Sequence, residues 1–384
     1  RRATPRSRLI VLLHAADIAR RLGRRGSARR LLASALRAPL RFVFPSRHET
    51  RAAIERLLRP GVIDAASRGL RWKLDYLLGV LHAWRGRIDA ARAALARAAS
   101  ARPRFATLYA VQAKIARRQK DHARAAALLR RAIAGDSADF RLYVALDHSL
   151  DVLGRHGARE VLLARAPRAV RANPSVRLRR ALLATQRGRH DEALAILGAH
   201  SFPPWEGWTG ARDVYLLALF GKAEALAASK RYDAALAAMK KALLWPENLG
   251  TGRPQQPDEA NVHFAIGELE RALGRRDAAR ASWRRAAQAH ELTSPHVAFR
   301  AAALRRLGRA AEAKTLLGKA RAALAAQLWR VDPWTHERYY GYALVLRELR
   351  DNAGARAALA KALARRPDYA WARRLQARLS QSRK

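Results

Sequence analysis

The amino-acid sequence predicts an all-α protein built from stacked helical hairpins. The first observation is a pattern of small and bulky apolar residues that returns every 34 residues along most of the 384-residue chain. The second is that the segments between turns are rich in Ala, Leu and Arg, which are strong helix formers. The third is that the alternation of β-branched residues typical of strands is absent. Together these observations favour a helical solenoid.

The repeat places small residues where two helices cross and a bulky residue between them. In one copy, Gly79 is followed by Ala91, Leu95, Ala98 and Pro103. Small side chains let the two helices of a hairpin approach closely, and the bulky one fills the groove between them. The other clear copies are Ala113, Ala125, Leu129, Ala132 and Ser137; Gly267, Ala279, Trp283 and Ala286; Ala301, Ala313, Leu317 and Ala320; and Ala355, Leu359, Ala362 and Pro367.

Several copies of the repeat are weaker. Residues 140–173 are the most degenerate, because Arg165 stands where a small residue is expected. We expect seven clear or moderate units, one or two degraded ones, and a basic C-terminal helix that caps the array. The weaker copies are anchored at Ala28, Leu32 and Ala35; at Ala193 and Leu197; and at Ala235, Met239 and Ala242.

This spacing resembles the tetratricopeptide repeat family, whose helix-turn-helix unit is 34 residues long. The turns between paired helices also match that family, as in Arg85-Gly86-Arg87, Gln119-Lys120-Asp121 and Gly308-Arg309. The resemblance covers nearly the whole chain and implies a right-handed α-α superhelical solenoid. It also implies a concave face, lined by the first helix of each hairpin, that receives an extended peptide or a neighbouring domain.

The repeat pattern divides the chain into four segments. Residues 1–60 form a degenerate N-terminal repeat and a basic, helix-rich segment, and residues 61–200 contain repeats that include the degenerate one. Residues 201–260 hold a repeat flanked by loops rich in Pro, Trp and Gly. Residues 261–384 complete the repeats and end in the capping helix.

The chain is strongly basic, with 76 Lys and Arg against 31 Asp and Glu, a formal net charge of +45. Only 11 of the basic residues are Lys, and the Arg residues accompany abundant Ala, as a GC-rich coding sequence would produce. The alternative is binding of a polyanion such as nucleic acid through the Arg-rich surface, since residues 1–60 hold 16 Arg and three acids. Aromatic residues spaced along a basic groove, which typify single-strand binding, are lacking there.

Three aromatic and Pro-containing loops interrupt the repeats. They include Phe44 and Pro45, then Trp205 and Glu206, and then residues 245–250 with Trp245, Glu247 and Asn248. One interpretation is that the rings fill widened gaps between hairpins. The other is that Trp205, Glu206, Trp245, Glu247 and Asn248 share a face and contact a ligand.

The three loop motifs together are similar to those in the C-terminal tetratricopeptide region of large bacterial proteins. Those proteins carry a predominantly β N-terminal domain of unknown function that is suspected of handling carbohydrate. The resemblance implies that this chain, which begins at Arg1, is the tail of such a protein and docks on its front domain. No catalytic residue is implied for the tail.

Catalytic and cofactor motifs are missing from the sequence. Gly221-Lys222 and Gly318-Lys319 lack the rest of a phosphate-binding loop, and the 12 His include no His-Glu-x-x-His pair. The chain has no Cys, and no apolar run reaches transmembrane length. We therefore expect a chain that is not itself an enzyme and has no cofactor and no metal. A cytoplasmic location is favoured, although the lack of Cys does not determine the compartment.

The leading hypothesis from the sequence is a non-catalytic protein-protein interaction scaffold. A positive groove would favour acidic partner segments through Arg-carboxylate pairs. The alternatives are the tail of a carbohydrate-processing enzyme and a polyanion-binding protein. The candidate groove residues, chosen because they are polar or aromatic and avoid the packing positions, are Lys73, Tyr109, Lys114, Arg141, Tyr143, Tyr215, His263, Arg300, Tyr339 and Tyr340.

Overall fold

The computed structural model describes residues 8–40, 43, 45–63, 65, 67–101, 103–204, 210–288 and 291–381. Within these ranges the chain forms 21 α-helices and two short 3-10 helices, and no strand occurs in them. The predicted all-α fold of stacked helical hairpins is confirmed. The helices belong to two units, an N-terminal unit that ends at Leu153 and a C-terminal unit that begins at Gly154.

The N-terminal unit contains eight α-helices in its described residues. Helices α1 and α2, α4 and α5, and α6 and α7 pair as antiparallel hairpins. Helix α3 packs against α1, where the Arg56 guanidinium donates two hydrogen bonds, of 2.8 and 2.6 Å, to the buried Asp17 carboxylate. The helices are α1 (Arg8–Arg21), α2 (Arg25–Arg37), α3 (His48–Leu57), α4 (Trp72–Trp84), α5 (Ile88–Ser100), α6 (Ala106–Arg118), α7 (His122–Gly135) and α8 (Phe140–Val152), with a 3-10 turn at Arg68–Leu70.

The C-terminal unit contains thirteen α-helices in its described residues. Five hairpins follow one another, formed by α11 and α12, α13 and α14, α15 and α16, α17 and α18, and α19 and α20. The helices are α9 (His156–Arg165), α10 (Arg168–Ala172), α11 (Pro174–Gln186), α12 (His190–Gly198), α13 (Gly210–Ala228), α14 (Tyr232–Lys241), α15 (Ala260–Ala272), α16 (Arg276–Ala286), α17 (Val297–Arg306), α18 (Ala310–Ala325), α19 (Thr335–Glu348), α20 (Asn352–Arg365) and α21 (Ala370–Gln381), with a 3-10 turn at Glu247–Leu249.

The small and bulky residues of the repeat lie where the paired helices cross. A Cβ added to Gly79 would lie 2.6 Å from Cγ of Leu95, and one added to Gly267 would lie 2.5 Å from Cδ1 of Trp283. The backbone of the first helix therefore contacts the bulky side chain of the second directly. All of the following second-helix residues are buried: Ala91, Leu95, Ala98, Ala125, Leu129, Ala132, Ala279, Trp283, Ala286, Ala313, Leu317, Ala320, Ala355, Leu359 and Ala362.

The turn of each hairpin contains one residue in the left-handed conformation. Gly occupies this position in most hairpins, for example Gly188 with φ of 75°. In three hairpins the position holds a long basic residue instead, namely Lys120 (φ 62°), Lys230 (φ 59°) and Arg350 (φ 66°). Because the left-handed region is strained for residues with a Cβ, these three turns store energy that the glycine turns do not.

The degenerate repeat spans the junction of the two units. Gly154 adopts φ of 67° in its turn, and the exposed Arg165 ends α9, followed by the buried Ala166. Inside the C-terminal unit, the fully buried Arg159 of α9 donates a hydrogen bond to Gln186 of α11. A polar pair thus stands where the other repeats pack apolar side chains.

Candidate binding cavity of the C-terminal unit

A cavity of about 460 Å³ lies inside the C-terminal unit. Its lining comes mainly from the first helices of the hairpins, α13, α15, α17 and α19, together with the last helix, α21. On α13 the lining positions are 213, 216, 220, 223, 224 and 227, and on α19 they are 337, 340, 344 and 347. Positions three or four apart share one face of a helix, so each first helix presents one continuous face to the cavity.

Seven aromatic rings line this cavity. The Phe220 and Trp371 rings meet edge to face with centroids 5.5 Å apart, and the Phe264 and Phe299 rings lie 6.1 Å apart. Rings at these separations attract one another through their quadrupoles and also bury apolar area. The seven residues are Phe220, Phe264, Phe299, Trp334, Tyr340, Tyr369 and Trp371.

The last helix completes the wall of the cavity. Arg374 and Arg378 of α21 both form ion pairs with Glu224 of α13. Burial raises the pKa of Glu224, but the two guanidinium groups outweigh it and hold that pKa below its usual range. Just before α21, Asp368 accepts a hydrogen bond of 3.2 Å from Arg179 of α11. Helix α21 is therefore tied to the beginning of the unit as well as to its neighbour α20.

A carboxyl group in an apolar setting lies on another wall. Burial raises the pKa of Glu337 to about 7, and the nearby charge of Asp213 raises it further than the surrounding Arg366, His296 and Arg338 can lower it. A group whose pKa lies near neutrality can be protonated or charged at physiological pH, depending on what is bound beside it.

The neighbouring His336 is held in its neutral form. Burial lowers its pKa to about 4, and the positive charge of Arg366 lowers it as well. The Arg366 guanidinium, which can only donate, lies 3.1 Å from Nε2 of His336, so Nε2 accepts the hydrogen bond. Nε2 of His336 also lies 3.7 Å from Oε1 of Glu337, but a neutral ring makes this contact a polar one and not an ion pair.

The structure places one of the sequence-predicted groove residues, Tyr340, in the cavity lining. Its neighbour Tyr339 instead donates a hydrogen bond of 3.3 Å to the Leu328 carbonyl, and Tyr215 donates one of 3.3 Å to the Lys241 carbonyl. Neither Tyr339 nor Tyr215 contributes to the lining.

Two other predicted residues, His263 and Arg300, meet in a second cavity of about 530 Å³. This cavity is polar, and Arg253, Arg285 and several glutamines contribute to it. Burial lowers the pKa of the buried Arg300 and, together with Arg285 and Arg253, that of His263. The acids Asp258 and Glu259 lie among these basic groups.

The remaining predicted groove residues belong to the N-terminal unit and are spread over it. Lys73 donates a hydrogen bond of 2.9 Å to the Ala38 carbonyl, and Arg141 pairs with Asp139 at 2.8 Å. Tyr109 and Tyr143 are buried, whereas Lys114 is exposed.

The loop residues Trp245 and Asn248 have partners within the fold. The Trp245 indole donates a hydrogen bond of 2.9 Å to Glu259, and the Arg212 guanidinium lies 4.3 Å from its ring centre. Asn248 donates two hydrogen bonds of 2.8 Å to the carbonyls of Leu197 and His200. These contacts agree with the packing interpretation of this loop.

Two of the predicted loops contact each other. The Phe202 amide donates a hydrogen bond of 2.7 Å to the Asn248 carbonyl. At Gly250, which has φ of 67°, an added Cβ would lie 2.4 Å from the Phe202 carbonyl oxygen, so only glycine fits. Glu247 is exposed and Pro45 is buried, while Phe44, Trp205 and Glu206 lie outside the described residues.

Sequence reasoning missed most of the cavity. Phe220, Phe299 and Glu337 were not among the candidates, and Arg212 was overlooked although it is buried and donates hydrogen bonds to the carbonyls of Ala242 and Leu244. The available signal was the helical spacing of positions 213, 216, 220, 224 and 227, which marks one face of α13.

Within the described residues, no cluster of three or more His, Asp or Glu side chains is arranged to hold a metal ion. The helices described there also include none that is long and apolar enough to cross a bilayer.

The fold defines a class: a helical-repeat protein built from two-helix hairpins of constant packing. The family model of the tetratricopeptide repeat matches residues 76–140 and 209–257, one segment in each unit. The chain is a tetratricopeptide repeat protein, as its 34-residue spacing predicted.

Comparisons with whole proteins give distant likenesses. A tetratricopeptide repeat protein from Parabacteroides merdae is 13% identical, with 77% of this chain and 99% of that chain covered and a TM-score of 0.35. A chain of the APC/C hetero-tetramer Cut9-Hcn1 is 14% identical, with a TM-score of 0.32. There, 95% of this chain covers 58% of the other. No curated protein matches the chain.

Proposed function

We propose that this protein is an interaction scaffold whose C-terminal unit binds an extended segment of a partner protein in its aromatic cavity. Tetratricopeptide repeats build protein-interaction scaffolds in general. The observation that carries the finer proposal is that seven rings from successive first helices and α21 line one cavity of about 460 Å³. This volume lies within the range of about 300–1,000 Å³ typical of ligand pockets.

The lining explains how a partner segment would be held. Leu216, Leu344 and the rings offer apolar surface, and an apolar side chain entering the cavity gains about 25 cal/mol for each Å² removed from water. Aromatic pockets of this kind anchor the few side chains that supply most of the binding energy at protein interfaces. The remainder of the segment would lie along the first helices.

The strong positive charge of the chain acts elsewhere. Most exposed Arg side chains belong to outer surfaces, where they would attract acidic partner segments and any polyanion in a salt-dependent way. The cavity contributes apolar area and shape to recognition, and the outer surface contributes the rate of encounter.

A peptide-display selection on the full chain tests the proposal. Ala265 lines the cavity, so Ala265→Trp would fill it, whereas Ala281 is exposed on α16 and Ala281→Trp is the matched control. Peptides selected on the unmodified chain should bind Ala265→Trp at least tenfold more weakly and Ala281→Trp unchanged. Circular dichroism should show equal helix content in the three proteins. Equal binding to all three would show that the cavity is not the binding site.

A further inference from the structure

The cavity differs in charge from the rest of the chain. The chain has 76 basic residues and 31 acids, yet the cavity is lined by four acids and three arginines, with one histidine. The acids are Asp213, Glu224, Glu268 and Glu337, and the basic residues are His296, Arg347, Arg374 and Arg378. A local excess of carboxylates in a chain of +45 is what a cationic ligand would require.

The arginines of the lining already have carboxylate partners. Arg374 and Arg378 pair with Glu224, and Arg347 donates a hydrogen bond of 2.9 Å to Glu348. Glu268 is paired too, since the Arg306 guanidinium donates two hydrogen bonds of 2.8 Å to it. The acid excess of the lining is therefore concentrated at Asp213 and Glu337.

Glu337 forms no ion pair with an arginine among the described residues. Its ionisable neighbour at 3.7 Å is His336, whose Nε2 is already occupied by the Arg366 hydrogen bond. Arg338, on the same helix, is engaged by Asp332 at 2.7 Å. When Glu337 is charged, a cation brought in by a ligand would supply the partner that the chain does not.

Aromatic faces surround this carboxyl. Tyr340 lies one turn after Glu337 on α19, and Trp334 lies one turn before it; Tyr369 meets Tyr340 edge to face at 5.6 Å. A lysine ammonium or arginine guanidinium is attracted to the faces of such rings within about 6 Å, and the stem of the same side chain packs on apolar surface. Carboxylates and rings together therefore favour a cationic side chain over a neutral one of equal length.

We propose that the cavity selects a partner segment by a lysine or arginine side chain that pairs with Glu337 and Asp213 and lies among the rings. This inference rests on the proposed function and adds the chemistry of the occupant. It also separates the cavity, which takes a cation, from the Arg-rich surface, which attracts anions.

The peptides from the display selection provide the test. Those that depend on the open cavity should share a Lys or Arg at one fixed position, and each is resynthesised with norleucine at that position. The unmodified protein should bind the norleucine peptide at least tenfold more weakly than the parent. In the double variant Asp213→Asn with Glu337→Gln this discrimination should shrink to less than threefold. Glu312→Gln on the outer surface of α18 is the control and should keep the full discrimination.

Each outcome decides between the two proposals. Cavity-dependent peptides without a shared cation would overturn the inference and leave the proposed function intact. A shared cation whose replacement weakens binding equally in the unmodified protein and the double variant would show that other groups hold it, which also overturns the inference. Failure of Ala265→Trp to weaken any selected peptide would overturn the proposed function, and the inference with it.

Discussion

The two units use the same packing between helices but differ in how their aromatic side chains are used. In the N-terminal unit, Phe105 lies 5.8 Å from Trp72 and 5.1 Å from Tyr76, and these rings pack against the hydrophobic core. Burial raises the pKa of Tyr76 to about 12. In the C-terminal unit, rings on the first helices line an open cavity. The hairpin interior is therefore constrained by the repeat, while the other face of the first helix is free to form either a core or a binding site.

The shared packing gives the largest expected effect. Leu95 in the N-terminal unit and Leu317 in the C-terminal unit hold the same repeat position, and both are fully buried. Leu95→Ala and Leu317→Ala should each lower the free energy of unfolding by about 2–5 kcal/mol, because each leaves a cavity that helices already in contact cannot collapse. Urea unfolding followed by circular dichroism measures this. A cost below about 1 kcal/mol in only one unit would mean that the common packing does not stabilise both.

An intermediate effect concerns the carboxyl and imidazole that distinguish the C-terminal unit. The pKa of Glu337 is raised to about 7 from 4.5, so between these values the folded state holds a proton that the unfolded state has lost, and stability falls as pH rises. The pKa of His336 is lowered to about 4 from 6.5, so between these values stability rises with pH. The two contributions oppose each other between pH 4.5 and 6.5.

Single variants should expose each of these contributions. Glu337→Gln should leave the His336 contribution, so that stability rises from pH 4 to 6.5, and His336→Gln should leave the Glu337 contribution, so that stability falls from pH 4.5 to 7. Each change is on the order of 2 kcal/mol, since one pKa unit corresponds to about 1.4 kcal/mol and partial exposure reduces the total. The charged neighbours Asp213, His296, Arg338, Arg366 and Asp368 are unchanged in both variants. Melting temperatures measured across this range check the two slopes, and identical profiles for both variants would contradict them.

The smallest expected effect lies in the hairpin turns, which the two units also share. Lys120 and Lys230 occupy the left-handed position of matching turns, one in each unit. Lys120→Gly and Lys230→Gly should each raise the free energy of unfolding by about 0.5 kcal/mol, because relief of strain exceeds the added entropy of the unfolded chain. In the opposite direction, Gly188→Ala should lower it by about 1 kcal/mol. Denaturant midpoints are sufficient to measure these shifts, and a stabilising Gly188→Ala would contradict the turn geometry.

Much of the fold followed from local pattern, and little of the candidate site did. The positions of Ala91, Leu95 and Ala98 were predictable because each depends on residues in the same hairpin. Of the cavity, only Tyr340 was among the sequence candidates. The loop around Trp245 shows the same limit, since its pattern of aromatic and Pro residues permitted either packing or ligand contact, and its partners Arg212 and Glu259 come from other elements.

The sequence by itself determined the class of protein, the hairpin as the unit and the residues at which paired helices cross. These are properties of neighbouring segments, so a period of 34 residues and a short turn are enough to specify them. Only the tertiary structure decided which inner faces meet. Glu224 and Arg378 are 154 residues apart in the chain, and Arg179 and Asp368 are 189 apart. The cavity exists because accumulated rotation from hairpin to hairpin brings α21 back to α11 and α13, and no local pattern encodes that sum.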